Sequence, residues 1–305
     1  MNTYLHIDGS NIAHRYYHGM PVLTSHSGVE THALAGWVTL LSNVVGRLEL
    51  PANTKVIVFW DKAAKTPKTT ADGVPLDPGG EELWLDYKGN RVSHKQGLYD
   101  QISLAMAITK LLGFAYVAEA GVEADSLLGA FVLTHPDDVH WILSSDKDML
   151  QLVNNSVTVV TINGADVKRY NPAAVVKKWG VTPEQIADLL VLMGDKSDNL
   201  PGVPEIGKVT AQELLGRFGS LDNVLENLHQ LKPKQRQTLQ ESTSKIAVLR
   251  NLIEFRPSFV RVREFPPEFK AAKDLLNSLQ MTAAVARVAA IQLAEMKRSD
   301  ENIPT

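Results

Sequence analysis

The sequence contains no cysteine, no apolar run long enough to span a membrane, and no large excess of either charge. The lack of cysteine excludes disulfides and thiolate metal sites. No stretch approaches the roughly 18–20 apolar residues that a transmembrane helix needs. The net charge of −3 argues against a protein whose entire surface binds nucleic acid. The positions of the charges therefore matter more than their sum.

The first residues, MNTYLHIDGSN, lead straight into a predicted strand and lack the basic, apolar and small-residue pattern of a signal peptide. A reducing cytosol suits this pattern and the lack of cysteine. The chain has 305 residues, of which 44% are hydrophobic and 21% charged, so it is long enough for two packed globular units.

The first half of the chain alternates short apolar runs with helical patterns. This alternation predicts an α/β fold in which parallel strands are joined by right-handed crossovers, with helices on both faces of the sheet. The predicted strands cover 3–7, 55–60, 114–118, 138–144 and 157–162, and predicted helices cover 31–48 and 123–135. The segment 62–86 is rich in Thr, Pro and Gly, and a loop of this length is usually functional or disordered.

From about residue 172 the strand signal fades, and helical patterns punctuated by Pro and Gly continue. We therefore expect an α/β domain at 1–180, followed by an all-α domain at 181–305. The stretch 229–251 in the second domain is strongly basic. It carries Lys232, Lys234, Arg236, Lys245 and Arg250 against the single acid Glu241.

Acidic residues follow the predicted strands at the points where the strands end. Asp8 follows the first strand, Asp61 follows the second, and the pair Asp146 and Asp148 follows the fourth. Because the carboxyl ends of parallel strands meet at one edge of a sheet, these side chains should converge there. Four more acids stand at helix boundaries that can face this edge: Glu123, Asp125, Asp195 and Asp198.

Eight carboxylates cannot all stay ionised in a partly buried cleft, because unit like charges about 4 Å apart repel by roughly 4 kcal/mol at an effective dielectric of about 20. Either several of them bind protons or cations neutralise them. Oxygen ligands without Cys or His favour Mg²⁺ or Mn²⁺. Two such ions about 3.5–4 Å apart are a standard arrangement for in-line cleavage of phosphodiesters.

Each acid taken alone has a structural alternative. Asp is a common helix N-cap and turn residue, and the run GDKSDN at 194–199 is also compatible with a polar turn. The repetition at strand ends favours a metal site, because independent caps would not all fall on one edge of the sheet.

Two other motifs point to phosphate. In YKGNR at 87–91, Lys88 and Arg91 share a face if a helix begins there, and both groups can stabilise phosphate charge. Tyr87 can stack on a nucleobase or simply pack, and a solvated helical turn is the alternative for the whole motif. In LPGVPEIGKVTAQELL at 200–215, two glycines permit a tight hairpin before a helix whose N-terminal N–H groups suit a phosphate. A plain helical hairpin is the alternative there.

Together these motifs resemble those of the 5′-nucleases, or flap endonucleases, a family that includes bacteriophage enzymes and the 5′-nuclease domain of DNA polymerase I. The matching runs occur in the family's order and cover roughly residues 4–255: HIDGSN, VFWD, YKGNR, GVEADS, SSDKDMLQLV and MGDKSDNLPGVPEIGKVTAQELL. The resemblance implies a PIN-like twisted sheet with a parallel core, an arch at about 62–112, and an all-α domain with a helix–hairpin–helix at about 186–216.

The resemblance assigns roles to individual residues. A first Mg²⁺ or Mn²⁺ ion would be held mainly by Asp8, Asp61, Glu123 and Asp125, and a second mainly by Asp146, Asp148, Asp195 and Asp198. Lys88 and Arg91 would be catalytic, because the matching residues lie at the base of the arch and contact the scissile phosphate. The carbonyls of Gly202, Val203 and Ile206 would hold K⁺. The DNA contacts would be Tyr87, Gly207, Lys208, Lys232, Lys234 and Arg236.

The implied activity is structure-specific cleavage of DNA at 5′ flaps, 5′ overhangs or nicks, and of RNA–DNA hybrids during primer removal and repair. The implied protein is a monomer without membrane contact, in the cytoplasm of a bacterium or a phage-infected host. Two features depart from the family: Ser126 replaces a frequent acid, and the segment before Lys88 is long while the one after Arg91 is short. A non-catalytic branched-DNA-binding protein and a PIN-type ribonuclease stay open as alternatives.

Overall fold

The structure, a computed structural model, describes residues 1–62 and 96–301. Tyr87, Lys88, Arg91 and the part of the predicted arch between 63 and 95 lie outside the described residues. In the described part, six strands form one sheet with the order β3-β2-β1-β4-β5-β6. The strands are β1 Thr3–Asp8, β2 Lys55–Phe59, β3 Ala115–Val117, β4 Val139–Leu143, β5 Val157–Asn163 and β6 Asp166–Tyr170.

The first five strands are parallel, and β6 returns antiparallel to β5 through a turn at Gly164. β1 lies in the centre, and its side chains alternate between the two faces of the sheet. Tyr4 packs into one core cluster, whereas Leu5 and Ile7 pack into the other. Because both faces are buried, the parallel strands appear in the sequence as nearly continuous apolar runs.

The predicted α/β sheet followed by helices is confirmed. The first helices are α1 Gly9–Gly19, α2 His32–Arg47, α3 Gln96–Leu111, α4 Ala124–Thr134, α5 Pro172–Trp179 and α6 Ile186–Met193. The later helices are α7 Lys208–Phe218, α8 Leu221–Glu226, α9 Pro233–Glu241, α10 Thr243–Ile253, α11 Phe269–Ser278 and α12 Thr282–Glu301. None of these described helices is long and apolar enough to cross a bilayer.

The elements that the sequence pattern does not predict include α1 and β6. α1 has few apolar residues, and it begins where the Asp8 side chain accepts a hydrogen bond from the backbone N–H of Asn11 at 3.0 Å. Its Ile12 and Ala13 then pack into the core. β6 is an edge strand whose residues are mostly exposed, so it lacks the apolar run that marks the other strands.

α6 and α7 pack against each other and are joined by a tightly folded loop at 194–207. Gly194 and Gly202 have positive φ angles of 76° and 61°. A Cβ atom at Gly194 would lie 2.6 Å from the carbonyl oxygen of Leu200. The loop therefore needs glycine here for both its backbone conformation and its close approach.

The last two helices pack mainly on the first part of the chain. Residues 254–268 run back along the sheet, where Tyr116 and Arg263 exchange backbone hydrogen bonds of 2.9 and 3.0 Å. α11 then contacts α3, and α12 lies against α2. We therefore propose that the second unit ends near Ile253 and that the last two helices belong with the sheet. The domain boundary at 180/181 stays a prediction.

Two histidines of neighbouring strands form a buried pair. The Nε2 atom of His6 in β1 lies 2.9 Å from the Nδ1 atom of His140 in β4, and the two rings stack. Burial lowers the pKa of His140 and lowers that of His6 well below its usual value. Both imidazoles are therefore neutral near pH 7, so that one nitrogen can donate and the other accept.

The buried histidine pair should lower the free energy of unfolding in acid. A histidine whose pKa is lowered by folding binds more protons when unfolded, so its contribution falls as pH drops below about 6.5. His140→Gln removes one such group. We expect the free energy of unfolding of the wild type, measured with urea in EDTA, to fall by about 1 kcal/mol more than that of the variant between pH 7.5 and 5.5.

The exposed His26 provides the control, because His26→Gln should leave the pH dependence of the wild type unchanged. Parallel stability curves for wild type and His140→Gln would contradict a neutral buried imidazole at this position.

Candidate active site

A buried carboxylate, Asp8, stands at the carboxyl end of β1. Its Oδ1 atom accepts the N–H of Asn11 at 3.0 Å, and its Oδ2 atom accepts the Ser144 hydroxyl at 2.8 Å. Burial raises the pKa of Asp8 to about 7, and the nearby charge of Asp61 also raises it, against the effect of those two hydrogen bonds. Near neutral pH this carboxyl therefore exchanges a proton readily, and a cation can take the place of that proton.

Asp61 follows β2 and connects that strand to the helix that carries two further acids. Its N–H donates to Ser10 Oγ at 2.9 Å, and its Oδ1 atom accepts the N–H of Ala124 at 2.8 Å. The second hydrogen bond caps the N-terminus of α4, where Glu123 is the residue before the helix and Asp125 lies in the first turn. One cap thus brings three acids to the same edge of the sheet.

Asp146 and Asp148 form a tight turn directly after β4. The Ser144 hydroxyl accepts the N–H of Asp146 at 3.1 Å, and Asp146 Oδ1 accepts the N–H of Asp148 at 3.0 Å. Burial, followed by the charge of Asp146, raises the pKa of Asp148 well above its usual value. The Oδ1 atom of Asp148 is buried and has no hydrogen-bond partner in the described part of the chain. A buried carboxylate oxygen of this kind needs a proton or a cation as its partner.

The loop after α6 adds Asp195 and Asp198, both buried. Asp195 Oδ1 accepts the N–H of Ser197 at 2.8 Å and the Ser197 hydroxyl at 2.5 Å, and Asp195 Oδ2 forms an ion pair with Lys147. Burial alone would raise the pKa of Asp195, but Lys147 and Ser197 hold it below its usual value. This acid is therefore ionised and already neutralised by a lysine from the neighbouring turn.

The structure brings all eight predicted acids to one edge of the sheet. The charges of Asp61 and Asp146 act on Asp8. Three carboxylates act on Asp148: Asp125, Asp146 and Asp198. Glu123 lines one cleft together with Asp125 and Asp148, and Asp195 reaches the same turn through Lys147.

The donor chemistry of this edge fits a hard divalent cation. Within residues 1–62 and 96–301, no three His, Cys, Asp or Glu side chains are already arranged as a metal-binding set. Several carboxylate oxygens instead bind internal donors, namely Asn11, Ser144, Ala124, Lys147 and Ser197. The buried Asp148 Oδ1 atom and the raised pKa values of Asp8 and Asp148 mark positions where a cation would replace protons.

Gln151 connects this edge to the helical region. Its side-chain amide donates to the carbonyls of Asp148 and Ile253, both at 2.9 Å, and its Oε1 atom accepts the N–H of Phe255 at 3.2 Å. The end of α10 and the residues after it line the cleft that holds Glu123 and Asp148. Sequence reasoning missed this residue, although it lies within the run SSDKDMLQLV.

The predicted potassium and hairpin residues lie together at the N-terminus of α7. Val203 and Ile206 are buried, and the Val203 carbonyl accepts the N–H of Ile206 at 3.1 Å. Gly202 lies beside them, and Gly207 is the N-cap of α7. The exposed Lys208 follows, with its Nζ atom 4.8 Å from the centre of the Trp179 ring. The role of these carbonyls as a cation site stays a prediction.

The three predicted basic contacts of α9 differ in their surroundings. Lys232 is exposed at the N-cap position, and Lys234 forms an exposed ion pair with Glu205 of the hairpin loop at 2.8 Å. Arg236 instead donates to three backbone carbonyls of the preceding turn: Leu228, His229 and Leu231. Its guanidinium therefore closes this turn, and its contact with DNA stays a prediction.

The buried charge of Asp8 should destabilise the protein in the absence of metal, by an amount that depends on pH. Its pKa is raised by folding from 3.8 to about 7, so the cost of the buried charge is full above pH 7 and disappears as pH falls toward 4. Asp8→Asn removes the charge, keeps one oxygen to accept the Asn11 N–H, and replaces the other oxygen by an NH2 group that can donate to Ser144 Oγ. In EDTA at pH 8 we expect the variant to be about 2–4 kcal/mol more stable to urea than the wild type.

This difference should shrink steadily between pH 7 and 4. The exposed Asp137→Asn is the control and should show no such trend. A pH-independent difference for Asp8→Asn would mean that the carboxylate is not destabilised by its surroundings.

Two family models match adjacent parts of the chain. Residues 3–180 match the N-terminal resolvase-like domain of the 5′-3′ exonucleases, and residues 181–273 match their C-terminal SAM fold. A 5′-3′ exonuclease of Aquifex aeolicus is 30% identical over 98% of this chain and 99% of its own length. The DNA polymerase I of Bacillus caldotenax is 32% identical over 82% of this chain. The chain spans only 27% of that relative, about a quarter of its length.

Solved structures share the fold. T5 5′-exonuclease with bound divalent metal ions (zinc) superposes with a TM-score of 0.65 and 19% identity, covering 96% of this chain and 99% of that one. Flap endonuclease-1 from Methanococcus jannaschii superposes with a TM-score of 0.64 and 15% identity, covering 97% of this chain and 94% of that one. The likeness covers nearly the whole chain and concerns the fold. The resemblance inferred from the sequence motifs is confirmed, and the chain belongs to the 5′-3′ exonuclease family of nucleases.

Proposed function

We propose that this chain is a divalent-metal-dependent 5′ nuclease that cleaves 5′ flaps and 5′ ends of branched DNA. The observation that carries the proposal is the convergence of eight acids on one sheet edge, with a buried oxygen at Asp148 that has no hydrogen-bond partner among the described residues. The helical hairpin of α6 and α7 begins at the same edge, because Asp195 and Asp198 belong to its loop. An edge that binds metal ions, next to a hairpin that binds the DNA backbone, suits a nuclease that cleaves duplex DNA while binding it.

The eight acids would hold two Mg²⁺ or Mn²⁺ ions, divided between two groups. Asp8, Asp61, Glu123 and Asp125 would form the first, and Asp146, Asp148, Asp195 and Asp198 the second. Two such ions supply an activated water and stabilise negative charge on the phosphate and the leaving oxygen. Asp8 must give up its proton and Asp195 its lysine before these carboxylates can act as ligands.

The N-terminus of α7 would bind the DNA backbone at a place separate from the acids. Its free N–H groups and Lys208 suit a phosphate, and such contacts position a duplex without reading its sequence. K⁺ bound to the carbonyls of Gly202, Val203 and Ile206 would add positive charge. Gln151 ties the acidic turn to the end of α10, so the scissile phosphate would meet a fixed set of carboxylates.

The residues outside the described part would complete the site. Lys88 and Arg91 would contact the scissile phosphate, and Tyr87 would stack on a base of the passing strand. Removal of RNA primers at lagging-strand junctions and of flaps during repair is the cellular role that fits such a nuclease. The protein would then act as a monomer on chromosomal DNA, in the bacterial cytoplasm.

Lys208 should contribute to the affinity for DNA and not to sequence preference. Lys208→Ala removes one phosphate contact, so we expect it to weaken duplex binding equally for unrelated sequences. The slope of log Kd against log salt concentration should fall by about one. Lys270→Ala, an exposed lysine of α11, is the matched control and should bind as the wild type does. An unchanged salt slope for Lys208→Ala would remove α7 from the duplex-binding surface.

The metal centre is tested by replacing both acids of the β4 turn. We expect Asp146→Ala/Asp148→Ala to abolish cleavage of a 5′-flap duplex labelled at the 5′ end, while flap binding is largely retained, because the hairpin is intact. Asp137→Ala should cleave normally. Cleavage at the wild-type rate by the double variant would overturn the metal assignment.

The wild-type reaction itself separates the possible activities. A single labelled product, released near the junction with Mg²⁺ but not with EDTA, would establish flap cleavage. Only mono- and short oligonucleotides would indicate a 5′ exonuclease that does not select flaps. Tight binding without cleavage would instead indicate a junction-binding protein.

A further inference from the structure

Lys147 lies within the acidic turn, between Asp146 and Asp148. Its Nζ atom forms an ion pair with Asp195 Oδ2 and donates to Ser197 Oγ at 2.8 Å. Only about a fifth of this side chain is exposed, and Asp195 is almost fully buried. The ammonium group is therefore inserted among the carboxylates and does not extend into solvent as most lysines do.

The position of this ammonium group conflicts with metal binding. Asp195 uses both carboxylate oxygens within the protein, Oδ1 for Ser197 and Oδ2 for Lys147. A divalent ion that takes Asp195 Oδ2 as a ligand competes with the ammonium group for this oxygen and is repelled by its charge. The charges of Asp146 and Asp148 also act on Lys147, so its departure exposes three carboxylates to one another until a metal ion binds.

We propose that Lys147 is a tethered counter-cation of the second group of acids, Asp146, Asp148, Asp195 and Asp198. It neutralises their charge in the absence of metal and moves away from them when a divalent ion binds. The inference rests on the proposed function, because it assigns that metal site its occupant in the metal-free state. Lys147 acts through the carboxylates and is a positioning residue. It stabilises the folded site while no metal ion is bound, and it lowers the affinity of the site for metal.

Two opposite changes distinguish this role from a purely structural one. Lys147→Met removes the charge and keeps much of the side-chain length. In EDTA its melting temperature should fall, because a buried carboxylate loses its partner. Its affinity for Mn²⁺, measured by calorimetry and by electron paramagnetic resonance, should rise at least about tenfold, because the ion no longer displaces an ammonium group. A lysine that only supported the fold would lower both quantities.

Two further variants bracket the effect. Lys147→Arg keeps the charge and should stay close to the wild type in both measurements. Lys177→Met applies the same substitution to an exposed lysine of α5 and should change neither. Unchanged Mn²⁺ affinity in Lys147→Met would overturn the proposal for Lys147. If the wild type itself bound no Mn²⁺, the proposed metal site would fail first, so the two failures are distinguishable.

A measurement on the wild type covers the case in which Lys147→Met does not fold. The ¹⁵N–¹H signal of the Lys147 ammonium group should be visible in EDTA, because its ion pair slows exchange with water. Saturating Mg²⁺ should abolish or strongly shift this signal. A signal that is identical with and without Mg²⁺ would show that the ion pair survives metal binding, against the proposal.

Discussion

Repulsion among carboxylates at the carboxyl edge of the sheet is the constraint on which the rest of the structure depends. The strand order reverses between β1 and β4, which opens a crevice exactly where two neighbouring parallel strands end. Asp8 and the β4 turn face each other across this crevice. The metal-free fold tolerates the arrangement through a shared hydroxyl at Ser144, a raised pKa at Asp8 and an internal lysine at Lys147.

The acids also build the elements that hold them. Asp8 caps α1, Asp61 caps α4, and Asp146 closes the turn that leads to Asp148. Each of these hydrogen bonds satisfies a backbone N–H that a helix or turn start would otherwise leave unpaired. A structural role for these aspartates therefore does not exclude the proposed functional one, because a carboxylate that accepts one backbone N–H keeps further lone pairs for another partner.

Much of the fold could be read from the sequence, because parallel strands buried on both faces leave continuous apolar runs and their ends fix where the acids converge. α1 escaped prediction because an aspartate cap and two apolar contacts, not periodicity, define it. β6 escaped because edge strands carry little pattern. The contacts of Lys147 and Gln151 could not be predicted, since each joins segments that are about 50 or 100 residues apart and are adjacent only after folding.

The chain enters the helical region from β6 and returns from α10 to the sheet, where Gln151 and the Tyr116–Arg263 bridge secure the returning strand. A unit held at both ends is more restricted in its movement against the sheet than one joined by a single linker. The loop between α6 and α7 carries Asp195 and Asp198, so the hairpin and the acidic edge share residues in the described part of the chain. A change in the position of the hairpin would therefore also move two of the acids at this edge, which couples the proposed DNA-binding surface to the proposed metal site.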